Sequence, residues 1–368
     1  MFEMLVADNK ARNGRLMTLH GRLETPCFMP VATKAAIKHI NQEQLRETRT
    51  RAFISNALIL FLTNYDIVKE QGIHKFMNWN NVIFTDSGGF QILKKGFLLN
   101  IIGDGVMFRS PFNGNKFLLT PKQAIEIQNS LGADVIMALD DVPNYTKEGN
   151  NYEGVKDSML RTHKWAKICK SSHNKDGQLL FGICQGGVFS ELRKESSEFI
   201  SSLGFDGVAI GGLCIGESKD LMYQMVDITT KAIPEDKPKY LMGVGSPEDL
   251  LESISHGIDI FDSTFPTQNA RHGAIFTING KLRINKQENK NQLCPLDENC
   301  RCFVCKQYTR AYLHYLFRMK EPLAMSLLSF HNLFFIQTLL ENARKSIEEH
   351  RFSSFKEDFI SNYSLPTK

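Results

Sequence analysis

A chain of 368 residues, 42% hydrophobic and 23% charged, is long enough for two average domains or one large barrel, and these proportions exclude a disordered, collagen-like or small disulfide-stapled protein. Lys and Arg number 44 against 40 Asp and Glu, a formal charge of +4, which permits a local nucleic-acid patch without announcing one. The longest apolar run, Ala57 to Leu62, is far too short to span a bilayer, and Glu3 and Asp8 stand where a signal peptide needs a basic start and an apolar stretch, so a cytoplasmic protein with no membrane partner is expected.

Short apolar runs alternate with helix-patterned segments along most of the chain, the pattern of parallel βα units. In chain order the predicted strands are RAFISN (51–56), NVIFTD (81–86), DVIMALD (134–140), LLFGICQGG (179–187), GVAIGG (207–212), KYLMGVG (239–245) and DIFDS (259–263). Each ends in polar or glycine-rich residues: Asn56, Asp86, Asp140-Asp141, Gln185, Gly211-Gly212, Met242-Gly243 and Asp262. A (β/α)8 barrel builds its active site at the C-terminal ends of its strands, so this accumulation predicts that fold. Between Asp86 and Asp140, Asn113-Gly114 separates two short β-like runs and predicts an inserted hairpin near 100–120. A doubly wound sheet would need a switch point and usually a glycine-rich phosphate loop, and neither is visible.

Of the eight cysteines, Cys294, Cys300, Cys302 and Cys305 fall within twelve residues, a density that suggests a metal before disulfides. Cys300-Arg-Cys302-Phe-Val-Cys305 is a tight knuckle, and His331 follows in an amphipathic helical stretch. Three thiolates and one imidazole make a closed tetrahedral site of the structural zinc type, with no position left for a catalytic water. Cys294 competes with His331 for the fourth place, and spacing does not separate the two. The basic run Lys281 to Lys290 ahead of the knuckle reads as a solvated loop. Tyr308, Tyr312 and Tyr315, spaced along one predicted helix after it, offer an aromatic patch for a partner. The expected organisation is a barrel core over 1–280, a zinc-binding subdomain over 281–335, and a helical segment over 336–368 packing on the barrel.

Asp86, Asp140 and Asp262 each close a strand, bringing three carboxylates to one rim. A single Asp there commonly caps a helix. Three, with Gln185, suit chemistry at a glycosidic carbon, where one carboxylate attacks and another gives and takes the leaving group's proton; a further Asp and a Gln can read a purine's edge and carbonyl. The same three can instead hold Mg²⁺. Phe90 and Met242 suit the two faces of a flat ring, with core packing the plainer role for both. Gly211 and Gly212 let the backbone approach a ligand closely.

Taken together, TDSGGFQ (85–91), ALDD (138–141), CQGG (184–187), AIGGL (209–213), YLMGVG (240–245), FDSTFPT (261–267) and CRCFVC with His331 closely resemble the tRNA-guanine transglycosylase family, in order, from about residue 5 to RFSSFKEDF near the C-terminus. The resemblance implies a (β/α)8 barrel with an inserted zinc subdomain holding one structural Zn²⁺ on Cys300, Cys302, Cys305 and His331. It implies that Asp262 attacks C1′ of the wobble nucleotide in a G-U-N anticodon, forming a covalent tRNA–enzyme intermediate, and that Asp86 is the general acid/base that protonates departing guanine and deprotonates the incoming 7-deazaguanine. Asp140 then holds the base's amino-pyrimidine edge, Gln185 and the Gly212 N–H its carbonyl, the Leu213 carbonyl its 7-substituent, and Phe90 and Met242 its two faces. Arg271, Asp249 and Thr267 would meet the tRNA, and members dimerise.

Some positions depart from the family pattern. Gln268 stands where an Arg is usual, and Ala57-Leu58-Ile59-Leu60 replaces Thr-Tyr-His-Leu, which leaves that wall more apolar and the role of Asn56 beside Asp262 open. Val142 and Phe90 resemble members that use queuine, whereas Ile215 crowds the place its cyclopentenediol needs; queuine is favoured over the aminomethyl precursor. The rival class is a non-catalytic tRNA-binding accessory subunit on the same scaffold, which has no need of both Asp86 and Asp262.

Overall fold

The structure, a computed structural model, describes residues 1–89, 97–102, 105–143 and 151–363. It opens with an antiparallel sheet that the apolar runs did not announce: β1 (Phe2–Asp8), β2 (Ala11–Thr18) and β3 (Gly21–Thr25). Three parallel strands follow, β4 (Cys27–Ala32), β5 (Ala52–Asn56) and β6 (Val82–Asp86). Beyond them β7 (Leu98–Ile102), β8 (Gly105–Arg109) and β9 (Lys116–Leu119) form a separate antiparallel sheet, with Asn113-Gly114 in its second connection; it has one strand more than the expected hairpin. Then come β10 (Val135–Met137), β11 (Leu179–Cys184), β12 (Gly207–Ile210), β13 (Lys239–Leu241) and β14 (Ile260–Ser263). Among the described residues the strands close in the order β10-β11-β12-β13-β14-β4-β5-β6, a (β/α)8 barrel. All seven expected strands are in it. The eighth, β4, escaped because CFMPVA carries Pro30 and follows Pro26, and proline argues against an interior strand.

Side chains alternate between the two faces of each strand. Met29, Ile54, Phe84, Met137, Phe181, Ala209, Tyr240 and Ile260 fill the barrel, and Phe2, Leu16 and Leu23 of the N-terminal sheet join them, sealing one end. The opposite parity, including Phe53, Ile83, Ile136, Leu180, Val208 and Phe261, packs under the helices. At the sealed end the Asp134 carboxylate accepts bonds from the His20 N–H and ring, the His74 ring and the Ile83 N–H, all at 2.9–3.0 Å. Burial alone would push Asp134 up; these donors outweigh it and hold the carboxyl below its ordinary value. Two histidines and an aspartate suggest a metal site, yet the imidazole rings stack 3.5 Å apart and 17° from parallel. One ion cannot lie in both ring planes, so the group is a clamp fastening the β2–β3 turn and helix Ile73–Met77 to the barrel.

After β14, helix Phe265–Arg271 leads to a hairpin of β15 (Ala274–Thr277) and β16 (Gly280–Arg283), then short helices Phe303–Gln307 and Arg310–Arg318. Helix Pro322–Glu348 is long and apolar enough by length and composition to cross a membrane, but 72% of its most apolar stretch is buried in the protein. It runs unbroken through residue 335, so the segments expected on either side of that point share one element. Tyr308 lies just outside helix Arg310–Arg318 rather than on it, and stacks on Tyr312 at 5.7 Å.

Candidate active site and metal centre

The inward parity continues past the strand ends: Asp86 closes β6, Gln185 follows β11, Met242 follows β13 and Asp262 stands in β14. Asp140 and Gly211-Gly212 come just after β10 and β12. These ends surround a cavity of about 570 Å³ whose wall includes Asp86, Asp140, Gly212, Leu213, Met242 and Asp262, with Val142, Ile215 and Gln268 around them. Phe90 lies outside the described residues. Gln185 is fully buried behind the wall.

Asp262 is held by two hydrogen bonds to one of its oxygens. Its Oδ1 accepts the Tyr240 hydroxyl at 2.6 Å and the Gly243 N–H at 3.0 Å, leaving Oδ2 without a hydrogen bond among the described residues. Burial pushes its pKa up, and the two donors work against that rise without cancelling it. Tyr240 itself is held far above its ordinary value by burial and by Asp262, so its hydroxyl stays a donor.

Asp140 accepts from Gln185 Nε2 at 2.7 Å, and Gln185 Oε1 is buried with no hydrogen bond among the described residues. Burial pushes the Asp140 carboxyl up to about 7, against the pull of that hydrogen bond and with added repulsion from Asp141 and Asp86. Asp141 is committed elsewhere, to an ion pair with Arg161. Asn56 caps helix Ala57–Gln71 by accepting the Ile59 N–H at 2.7 Å and does not line the cavity. On that helix Leu58 closes on Gly88, where a Cβ would come within 2.4 Å of it.

Of the residues expected to meet tRNA, Arg271 ends helix Phe265–Arg271, Thr267 turns its hydroxyl to the Thr264 carbonyl at 3.1 Å, and Asp249 accepts Tyr223 Oη at 2.6 Å and Lys219 Nζ at 2.7 Å. None of the three lines the cavity. Sequence reasoning passed over Tyr240, which reads as one more core aromatic in an apolar strand. It also passed over Glu217, whose carboxylate gathers the N–H groups of Cys214, Ile215 and Gly216 at the cavity's edge; its only signal is an acid one residue beyond a glycine turn.

The knuckle folds onto the long helix. The sulfurs of Cys300, Cys302 and Cys305 lie 3.8, 3.5 and 3.3 Å from His331 Nδ1. A tetrahedral ion with metal–sulfur bonds of about 2.3 Å and metal–nitrogen bonds of about 2.0–2.1 Å separates its ligand atoms by roughly 3.5 Å, so this set can hold a metal ion. His331 Nε2 bonds the Phe276 carbonyl at 2.8 Å, which presents Nδ1 to the sulfurs. Cys294 is not part of the cluster. Beside His331, Asn332 accepts the Phe276 N–H and donates to the Pro266 and Ala274 carbonyls, each at 3.0 Å, tying the metal site to the helix that follows Asp262.

The family model described as queuine tRNA-ribosyltransferase matches residues 8–365. Curated relatives named queuine tRNA-ribosyltransferase include those of Caldanaerobacter subterraneus subsp. tengcongensis, 48% identical over 97% of this chain and 95% of the relative, and of Halothermothrix orenii, 44% over 97% and 95%. That of Bacillus subtilis is 45% identical over 96% of this chain and 93% of its own. The barrel, the rim of carboxylates and the match across nearly the whole length agree, and the chain belongs to the queuine tRNA-ribosyltransferase family of pentosyltransferases.

Proposed function

We propose that this enzyme exchanges guanine at the wobble position of tRNAs with G-U-N anticodons for a queuosine precursor base, by double displacement with retention. The observation that carries the reading is an anchored carboxylate, Asp262, sharing one cavity with a second, Asp86. Asp262 attacks C1′ through Oδ2, and guanine leaves with a proton from Asp86. The covalent tRNA–enzyme intermediate is resolved when a 7-deazaguanine base, deprotonated by Asp86, attacks the same carbon. The wobble base leaves its stack to reach the cavity.

Ionised Asp140 takes the base's ring and amino N–H groups. Gln185 reaches the base carbonyl by exchanging its bond to Asp140, and the Gly212 N–H meets the same oxygen. The Leu213 carbonyl meets the 7-substituent, Met242 stacks on one face and Phe90 on the other. Val142 in the cavity wall favours queuine, and Ile215 must give way to it. Arg271, Asp249 and Thr267 read the anticodon's flanking nucleotides. Zn²⁺ on Cys300, Cys302, Cys305 and His331 fills all four positions and is structural. Tyr308, Tyr312 and Tyr315, the last two 41% and 59% exposed, form the aromatic patch for a second copy in a cytoplasmic homodimer. The chain divides into a barrel core over 1–280, a metal-binding subdomain over 281–335 and a C-terminal segment over 336–368, the last two joined through the single helix Pro322–Glu348.

The test is release of labelled guanine from a G-U-N anticodon transcript, with queuine and the aminomethyl precursor offered separately. Release with queuine alone is expected; release with the precursor alone reverses the base preference and keeps the mechanism. No release with either base leaves the accessory-subunit reading. For the metal, Cys302→Ser should abolish stoichiometric zinc in elemental analysis and lower Tm by about 5–10 °C, since a structural site contributes folding free energy. Unchanged zinc content would remove the knuckle from the ligand set.

A further inference from the structure

Helix Ser190–Ser202 runs behind the base-recognition wall and carries Arg193, whose side chain is fully buried. Its Nε donates to the Gly187 carbonyl at 2.7 Å, Nη1 to Gly211 at 2.8 Å and Nη2 to Gly212 at 3.2 Å. All three partners are neutral glycine carbonyls. Burial lowers the guanidinium to about 10, with Cys184 and Glu217 acting the other way, so it keeps its charge at neutral pH. A buried cation solvated by backbone dipoles is costly to fold, and the same charge orients those dipoles strongly.

The orientation matters because a trans peptide points its C=O and its N–H in opposite directions. With the Gly211 carbonyl drawn onto Arg193, the Gly212 N–H in the same peptide points away from the guanidinium. Gly212 has φ +67°, and a Cβ there would come within 2.2 Å of Gln185 Oε1, so the residue is seated between the arginine and the recognition glutamine. One turn along the helix, Ser196 Oγ accepts the Gln185 N–H at 3.0 Å and shares a hydrogen bond with His163 Nε2 at 3.0 Å. Burial lowers His163 to about 4, which keeps its ring neutral. Arg193 and Ser196 thus hold both groups assigned to the base's carbonyl.

We propose that Arg193 is a positioning residue for base recognition: by drawing the Gly211 and Gly212 carbonyls onto itself, it sets the Gly212 N–H into the cavity before any base arrives. The proposal rests on the reading of this cavity as the base site. Arg193 touches neither base nor tRNA, so its effect falls on one substrate only. In Arg193→Lys, which keeps the charge but loses the forked donors, KM for the free base should rise about 10–100-fold while KM for tRNA stays within about twofold. In Arg193→Ala, methylguanidinium should restore the base KM. A base KM unchanged by Arg193→Lys, or base and tRNA KM values rising together, overturns the proposal. A second measurement needs no variant: hydrogen exchange of the 211–216 segment in the wild type should be equally slow with and without base, and ordering of the segment only on base binding also overturns it. Wild-type guanine exchange is the internal control. Its absence defeats the functional reading, whereas its presence with an unaffected Arg193→Lys defeats only the positioning role.

Discussion

Asp262→Asn should lower kcat for guanine exchange by at least about 10⁴-fold while tRNA binding stays within about threefold. The substitution is nearly isosteric, and the asparagine oxygen can still accept from Tyr240 and Gly243, so the barrel rim keeps its shape. What is lost is the negative charge on the atom that attacks C1′. The same variant should give no covalent tRNA–protein adduct on a denaturing gel when the second base is withheld, whereas the wild type accumulates one. Turnover within tenfold of wild type would remove Asp262 from the nucleophile's role. Because the carboxyl's pKa is raised, its ionised fraction falls earlier on acidification than that of an exposed Asp, and kcat should decline on the acid side accordingly.

Asp140→Asn should have opposite effects on function and stability. The carboxyl sits at about 7 in the folded protein against about 3.9 for an unperturbed Asp. The native state therefore binds more protons than the unfolded chain between those values, and the Asp140 contribution makes stability fall as pH rises from about 4 to about 7. By linkage the full cost above pH 7 is at most on the order of 4 kcal/mol. Removing the charge should raise Tm at pH 8 and hardly change it at pH 4. The base needs the ionised form, because its ring N–H and amino groups both donate. In the wild type, KM for the base should thus fall as pH rises through 7, up to tenfold per unit on the acid side. In Asp140→Asn it should be about 10²-fold higher and flat with pH. A wild-type base KM independent of pH between 5.5 and 8 would show that Asp140 binds no donor. A Tm lowered at pH 8 would show that its charge is compensated within the fold.

Much of the fold was legible because chemistry and packing share the strands. Asp86 and Asp262 end apolar runs and stand out as the wrong residue type for a core. Tyr240 and Arg193 did not stand out, each for its own reason. A tyrosine within KYL matches an apolar strand, and its hydroxyl's partner lies 22 residues away in the next strand. Arg193 sits in SELRKESSEF among residues that read as a solvated helix face, and only the approach of two glycine turns from other strands makes it internal. His331 and Cys294 were equivalent by spacing; the long helix separates them by carrying His331 25 or more residues back to the knuckle. Pro30 hid β4 by a rule that holds for most sheets and fails here.

The alternation that fills the barrel has a consequence for how this protein can vary. Because side chains switch faces at every residue, inserting or deleting one residue within β6 or β14 would turn Asp86 or Asp262 toward the helices and drive Thr85 or Ser263 inward. The same slip would put the large core side chains below them on the wrong face. Reactive geometry and core packing are thus a single reading frame: loops at either end of a strand can lengthen freely, while a frameshift inside it costs the fold and the reaction together.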